Sequence, residues 1–204
     1  MNSLSVKLSH PPTLADIAAL PSHMKGEIID GVFYATTRPR GFHQDVAGRV
    51  HFDVAGPHEY KRGGHGGWWI LPEPGVEFPN SPEVSPDVAG WKRERMPTTP
   101  RKQSITVVPD WVCEVLSDST RRYDLRTKRP FYARMGVAWL WVVDPEAWLV
   151  TAYRNDHGRW AEVGVWADEK DARIPPFEDA TVDVSAWWQG EGEGDAAEGT
   201  GGDG

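Results

Sequence analysis

The sequence predicts a single α/β (α+β) domain, a mixed β-sheet flanked by helices. Three observations carry this. Residues 107–117 and 138–144 are apolar almost throughout, the pattern of strands covered on both faces. Asp30-Gly31 separates two apolar runs, a strong hairpin signal. Helical spacing appears before and after a β-rich middle, and a second β-rich stretch closes the order, which suits sheet and helix in one layered unit.

A first helix opens at Thr13, a residue suited to capping orphan amides, and stops before Pro21. Strands Glu27-Ile28-Ile29 and 32–37 flank the Asp30-Gly31 turn. Residues 41–62 make a second helix with His43, Ala47, Val50 and Val54 as its inner stripe, and Gly63-Gly64 ends it. Residues 68–78 read as a strand interrupted by Pro72 and Pro74, with a turn at Pro79-Asn80. Residues 84–91 read as one short strand holding Ser85-Pro86-Asp87-Val88, and 92–104 as a polar loop. After the apolar strand 107–117, residues 119–134 make a connection and a third helix, closed by Gly136. Pro130 within it lacks an amide hydrogen and is expected to kink the helix or delay its start. Strands 138–144 and 148–154 form a hairpin, and 159–166 a further strand.

The chain has 204 residues and a formal net charge of −8, enough for one domain or at most two. The expected domain is 1–189. Residues 190–204 hold seven glycines and five acids with no base, a composition that buries too little to order, and are expected to form a disordered tail. Without those five charges the body carries −3, with basic clusters at Lys92, Arg93, Arg95, Arg101, Lys102 and at Arg121, Arg122, Arg126, Lys128, Arg129, Arg134. One cysteine, Cys113, excludes a disulfide scaffold and a cysteine-rich zinc site. The absence of a long apolar run or a leader-like start makes a cytoplasmic location the expectation.

Glu114 sits in the middle of the buried strand, where an uncompensated carboxylate is costly. Asp87, 27 residues upstream in a neighbouring strand, is the partner that would make an oxygen-rich site for a divalent ion. Alternation puts Val112, Glu114 and Leu116 on one face. The nearest base able to reach that face is Lys128, on the helix that follows.

Together, Glu27-Ile28-Ile29-Asp30-Gly31, His43, Ser85-Pro86-Asp87-Val88, the run from Pro109 to Ser117, the run from Arg121 to Lys128, Tyr132, Gly136-Val137 and Trp141-Val142-Val143-Asp144-Pro145 resemble the PD-(D/E)XK nuclease superfamily. More narrowly they resemble its Uma2 family of restriction-endonuclease-like proteins, over about residues 13–187. The resemblance implies a restriction-endonuclease-like fold and a Mg²⁺-dependent (or Mn²⁺-dependent) endonuclease acting on DNA, as a homodimer by analogy. It implies that Asp87, Glu114 and the Val115 carbonyl hold the ion, with Lys128, Glu27 and His43 completing the catalytic set and Tyr132 lining the same face. The arginines Arg121, Arg122 and Arg126, together with Arg38 and Arg40, would meet phosphates. Pro130 departs from the family pattern and bears on how Lys128 is aimed.

Two other classes fit parts of the sequence. A nucleic-acid-binding or regulatory module on the same scaffold would keep these residues without catalysis. A carbohydrate-binding protein or glycosidase would use the eleven tryptophans as stacking platforms and Asp87 with Glu114 as an acid/base pair.

Overall fold

In the computed structural model, which describes residues 4–38, 41–101 and 104–189, Asp30 and Gly31 take φ angles of 51° and 74°. Those angles form the tight turn expected between β2 (Met24–Ile29) and β3 (Val32–Thr37). The hairpin is extended by β1 (Leu4–Val6) on one side and by β6 (Ser81–Val84) and β5 (Val76–Phe78) on the other, giving the order β1-β3-β2-β6-β5. Thr13 begins α1 (Leu14–Ala18), with its amide and hydroxyl both on the Asp16 carboxylate. α1 lies close over this sheet, and Gly26 permits the approach: a Cβ there would stand 2.7 Å from Leu20 Cδ1.

The second sheet has the order β11-β10-β9-β8-β7-β4. Its strands are β4 (Trp68–Pro72), β7 (Val88–Lys92), β8 (Trp111–Val115), β9 (Trp139–Asp144), β10 (Leu149–Asp156) and β11 (Arg159–Trp166). Among the described strands of this sheet β8 and β9 alone pair in parallel, so the chain must cross over between them, and residues 121–134 make that crossing. One face of the sheet is covered by α2 (Phe42–His58), whose Val46, Val50 and Val54 meet Trp111, Cys113 and Val115. The other face meets the crossing helix and, beyond it, the first sheet, in a core containing Ile29, Val84, Val112, Phe131, Tyr132 and Leu140.

The structure revises five expectations. There are two sheets rather than one. The strand expected over 68–78 is two, β4 in the second sheet and β5 in the first. The strand expected over 84–91 is two, β6 in the first sheet and β7 in the second, because Pro86 has no amide to continue a ladder. Helix α2 ends at His58 rather than near Arg62, one residue after Pro57, and Val46 rather than Ala47 is its fully buried second contact. The crossing helix starts at Arg121, ahead of Pro130, and answers the proline with a change of turn. α3 (Arg121–Tyr123) and α4 (Arg129–Arg134) are joined by a wider π turn, Asp124–Lys128, in which the Arg129 amide donates to the Asp124 carbonyl. A proline crowds the carbonyl four residues before it, and the wider turn relieves that crowding. Gly136 then ends the helix at φ 80°, as expected. The tail 190–204, Arg40 and Lys102 lie outside the described residues. No helix among the described residues is long and apolar enough to cross a membrane.

Candidate active site

Asp87 lies in the step between the two sheets, one residue before β7. Val88 pairs with Cys113, and continuing that antiparallel register by one residue sets Asp87 opposite Glu114. Asp87 Oδ2 accepts the Val115 amide at 2.7 Å. Glu114 Oε1 accepts from Lys128 Nζ at 2.7 Å and from the Tyr132 hydroxyl at 2.6 Å. Lys128 and Tyr132 are one turn apart on the crossing helix, which aims both at β8. Lys128 Nζ also donates to the Ser85 carbonyl at 3.0 Å.

Glu27 arrives from the first sheet, on the face it shares with Ile29. Its Oε1 accepts the Ser85 amide at 2.8 Å and stands 3.5 Å from Lys128 Nζ; its Oε2 accepts from the Tyr123 hydroxyl at 3.0 Å. His43, in the first turn of α2, donates from Nε2 to the Val115 carbonyl at 2.7 Å and lies 3.4 Å from Asp87 Oδ2. Its Nδ1 is buried with no partner among the described residues. Five residues singled out in the sequence therefore converge: Glu27, His43, Asp87, Glu114 and Lys128 line one cavity of about 20 Å³, room for one water or a small ion.

The sequence did not single out Lys25, Tyr123 or Asp124, which also line that cavity. Tyr123 and Asp124 sit in the run that carries Lys128, but nothing in their spacing marks them as inward-facing, because the π turn changes the period. Lys25 precedes Glu27 by two residues on β2, so strand alternation gave the only available signal.

The charges are uneven. Four buried carboxyls, Glu27, Asp87, Glu114 and Asp124, face Lys128, the partly buried Lys25 and His43. Burial alone would lower the Lys128 pKa, but Glu114, Glu27, Asp124 and Asp87 outweigh it, so the ammonium is held charged. Burial would raise Asp87; hydrogen bonding and charge from His43, with Lys25 and Lys128, instead hold its carboxyl well below the usual range. Asp124 goes the other way, pushed up to about 7 by burial and by Asp87 and Glu27 against the pull of Lys128. Burial pushes Glu114 up as well, with Asp87, Asp124 and Glu27 adding to it and Lys128 opposing. The cluster thus holds more acid than its own bases neutralise.

That surplus and the donor chemistry fit a hard divalent cation. Oxygen donors from Asp87, Glu114 and the Val115 carbonyl are the kind Mg²⁺ accepts while keeping several waters. Among the described residues no three carboxylate, imidazole or thiol groups form a metal-holding cluster. The Val115 carbonyl accepts from His43, a partner the sequence did not anticipate.

The basic residues divide. Arg121 pairs with Asp144 at 2.6 Å, with its own side chain part-exposed. Arg122 and Arg126 are exposed and unpaired among the described residues. Of the eleven tryptophans Trp148 is exposed, Trp69, Trp139, Trp160 and Trp166 are half-buried and the others are buried in the core.

No curated protein matches the chain. A crystal structure described as a "putative nuclease belonging to DUF820", from Anabaena variabilis, matches with a TM-score of 0.65 at 22% identity, covering 87% of this chain and 98% of that one. At that identity the likeness speaks for the fold. A family model described as "Putative restriction endonuclease" matches residues 14–185. With a match over most of its length, and with the fold to go with it, the chain belongs to the Uma2 family of restriction-endonuclease-like proteins.

Proposed function

We propose that the chain is a metal-dependent endonuclease that hydrolyses phosphodiester bonds of DNA. Asp87 and Glu114, with the Val115 carbonyl, would hold Mg²⁺ or Mn²⁺. The observation that carries the reading is the buried contact of Lys128 Nζ with Glu114 Oε1, beside Asp87 on the neighbouring amide. It gathers two acids and an amine from three separate elements.

When bound, the ion supplies Lewis-acid polarisation of a phosphoryl oxygen and a more acidic water. Lys128, kept charged by its acidic neighbours, stabilises the negative charge that grows on the phosphoryl oxygens. Tyr132 and Ser85 fix that lysine and Glu114 in place, so the cluster needs little reorganisation as charge develops. Glu27 restrains Lys128 from the first sheet and holds Tyr123 and the Ser85 amide. His43 fixes the Val115 carbonyl, and its Nδ1 is buried with no partner among the described residues. Arg122 and Arg126 supply exposed charge for the phosphate backbone, which positions a nucleic acid without reading its sequence.

Nicking of supercoiled plasmid with Mg²⁺ or Mn²⁺ tests this. Asp87→Asn and Glu114→Gln are expected to lower the rate by at least about 100-fold, the scale of removing one electrostatic element of a site. Chelator is expected to abolish it. Unchanged nicking by both variants would sink the assignment.

A second reading has its own observation. His43 already satisfies the Val115 carbonyl and Lys128 already pairs with Glu114 inside the protein, as they would in a binding or regulatory module without catalysis. Titration calorimetry separates the two: an ion bound by the parent and lost in Asp87→Asn favours the enzyme, and no binding favours the module.

A further inference from the structure

Burial limits what can reach the cluster. Glu27, Asp87, Glu114 and Lys128 are 4%, 8%, 3% and 3% exposed, around a cavity of about 20 Å³. The phosphates of a regular duplex lie on the outside of a rigid rod, and even its wider groove is only about 12 Å across. A phosphate is larger than that space, so a substrate must lie along the openings at its edge, which a flexible single strand can follow more closely than a rigid rod.

Two grooves adjoin the cavity. The larger, about 820 Å³, has a floor of Leu14, Ile17, Leu20 and Met24 and shares Lys25 and Ser85, the first with the cavity lining and the second with the carbonyl that holds Lys128. The other, about 500 Å³, is bounded by His43 and residues 117–119, and His43 also lines the cavity. Arg38 lines both grooves. Each volume is on the scale of pockets for ligands of nucleotide size, about 300–1,000 Å³.

Lys25 joins the larger groove to the cluster. Its Nζ donates to the Ser85 carbonyl at 3.2 Å, the same oxygen that takes Lys128. Its acidic partner, Glu73, is 3.4 Å away with a half-exposed side chain. A loose, hydrated carboxylate is readily exchanged for a phosphate.

We infer that the two grooves carry a single DNA strand across the cluster, with Lys25 on a phosphate and the aliphatic floor beside α1 under the bases. Arg38 then meets the strand where the grooves approach each other. The cleavage rests on the nuclease reading above; the binding path does not.

The test uses the full chain and a labelled oligonucleotide of about 20 nucleotides, single-stranded or annealed to its complement. Fluorescence anisotropy in chelator is expected to show the strand bound at least about 10-fold more tightly than the duplex. Lys25→Ala is expected to weaken strand binding about fivefold and to make its logarithmic salt dependence shallower by about 0.7, the value for one lost phosphate contact on a single strand. Glu73→Gln, which releases Lys25, is expected to tighten it. Thermal melts establish that both variants are folded. Equal or tighter duplex binding, or no response to either substitution, overturns the inference. With Mn²⁺ present, duplex cut as fast as strand by the parent but not by Glu114→Gln upholds the nuclease reading and overturns the path. Strand binding that depends on Lys25, with no cutting of either substrate, upholds the path and overturns the nuclease reading.

Discussion

Trp111, Cys113 and Val115 project from β8 into a core shared with α2, while Val112, Glu114 and Leu116 project toward the crossing helix. The two faces are buried to the same depth: none of the six residues exceeds 4% exposure. They differ in what satisfies them. The α2 face is held by apolar area and close packing, to which each side chain contributes without needing a particular partner. The helix face carries one carboxylate, whose desolvation costs several kcal/mol and is offset by Lys128 and Tyr132 alone. Burial on the first face makes the fold, whereas burial on the second makes each group depend on its neighbour.

The largest expected effect breaks that dependence. Lys128→Met leaves Glu114 and Glu27 without their ammonium and is expected to cost about 3–5 kcal/mol in urea denaturation. Adding Glu114→Gln should recover part of the loss, because the carboxylate nearest the lost ammonium is then neutral while Glu27 stays unpaired by it; strictly additive costs would show that the Lys128–Glu114 pair is not coupled. On the α2 face, Ile70→Ala is expected to cost about 2–5 kcal/mol through lost contacts and a cavity. That cost should simply add to the cost of Glu114→Gln.

The smallest and most diagnostic effect is in pH. Asp124 binds its proton up to about pH 7 in the folded chain but only to its ordinary 3.8 when unfolded. Between those values the folded state holds more protons, so the contribution of Asp124 to stability falls as pH rises from about 4 to 7. Asp87 has the opposite sign: its depressed pKa contributes stability above the ordinary carboxylate range that is lost on acidification. Asp124→Asn is expected to flatten the decline between pH 4 and 7 and leave the acid limb in place, measured as melting temperature across that range.

Much of this arrangement was legible in the residues. The Asp30-Gly31 turn, the apolar run around Glu114 and the end at Gly136 each depend on neighbours within a few positions, which a sequence displays directly. The division of 84–91 between two sheets was signalled by Pro86, but hydrophobic alternation continued across it and concealed the break. The π turn was half visible: Pro130 announced a disturbance, and only packing decides whether a helix answers by kinking or by widening. For the site, the resemblance brought together Asp87, Glu114, Lys128, Glu27 and His43. Lys25 and Asp124 escaped because their roles come from what lies across the cavity, far away in the chain.

The parallel pairing of β8 with β9 has a further consequence for biosynthesis. It puts the helix bearing Lys128 after every strand that supplies an acid, so Glu27, Asp87 and Glu114 all leave the ribosome before the amine that neutralises them. Contacts spanning about a hundred positions form late. A nascent chain therefore carries no assembled cluster, and whatever chemistry it performs is withheld from the cell until translation has passed the crossover.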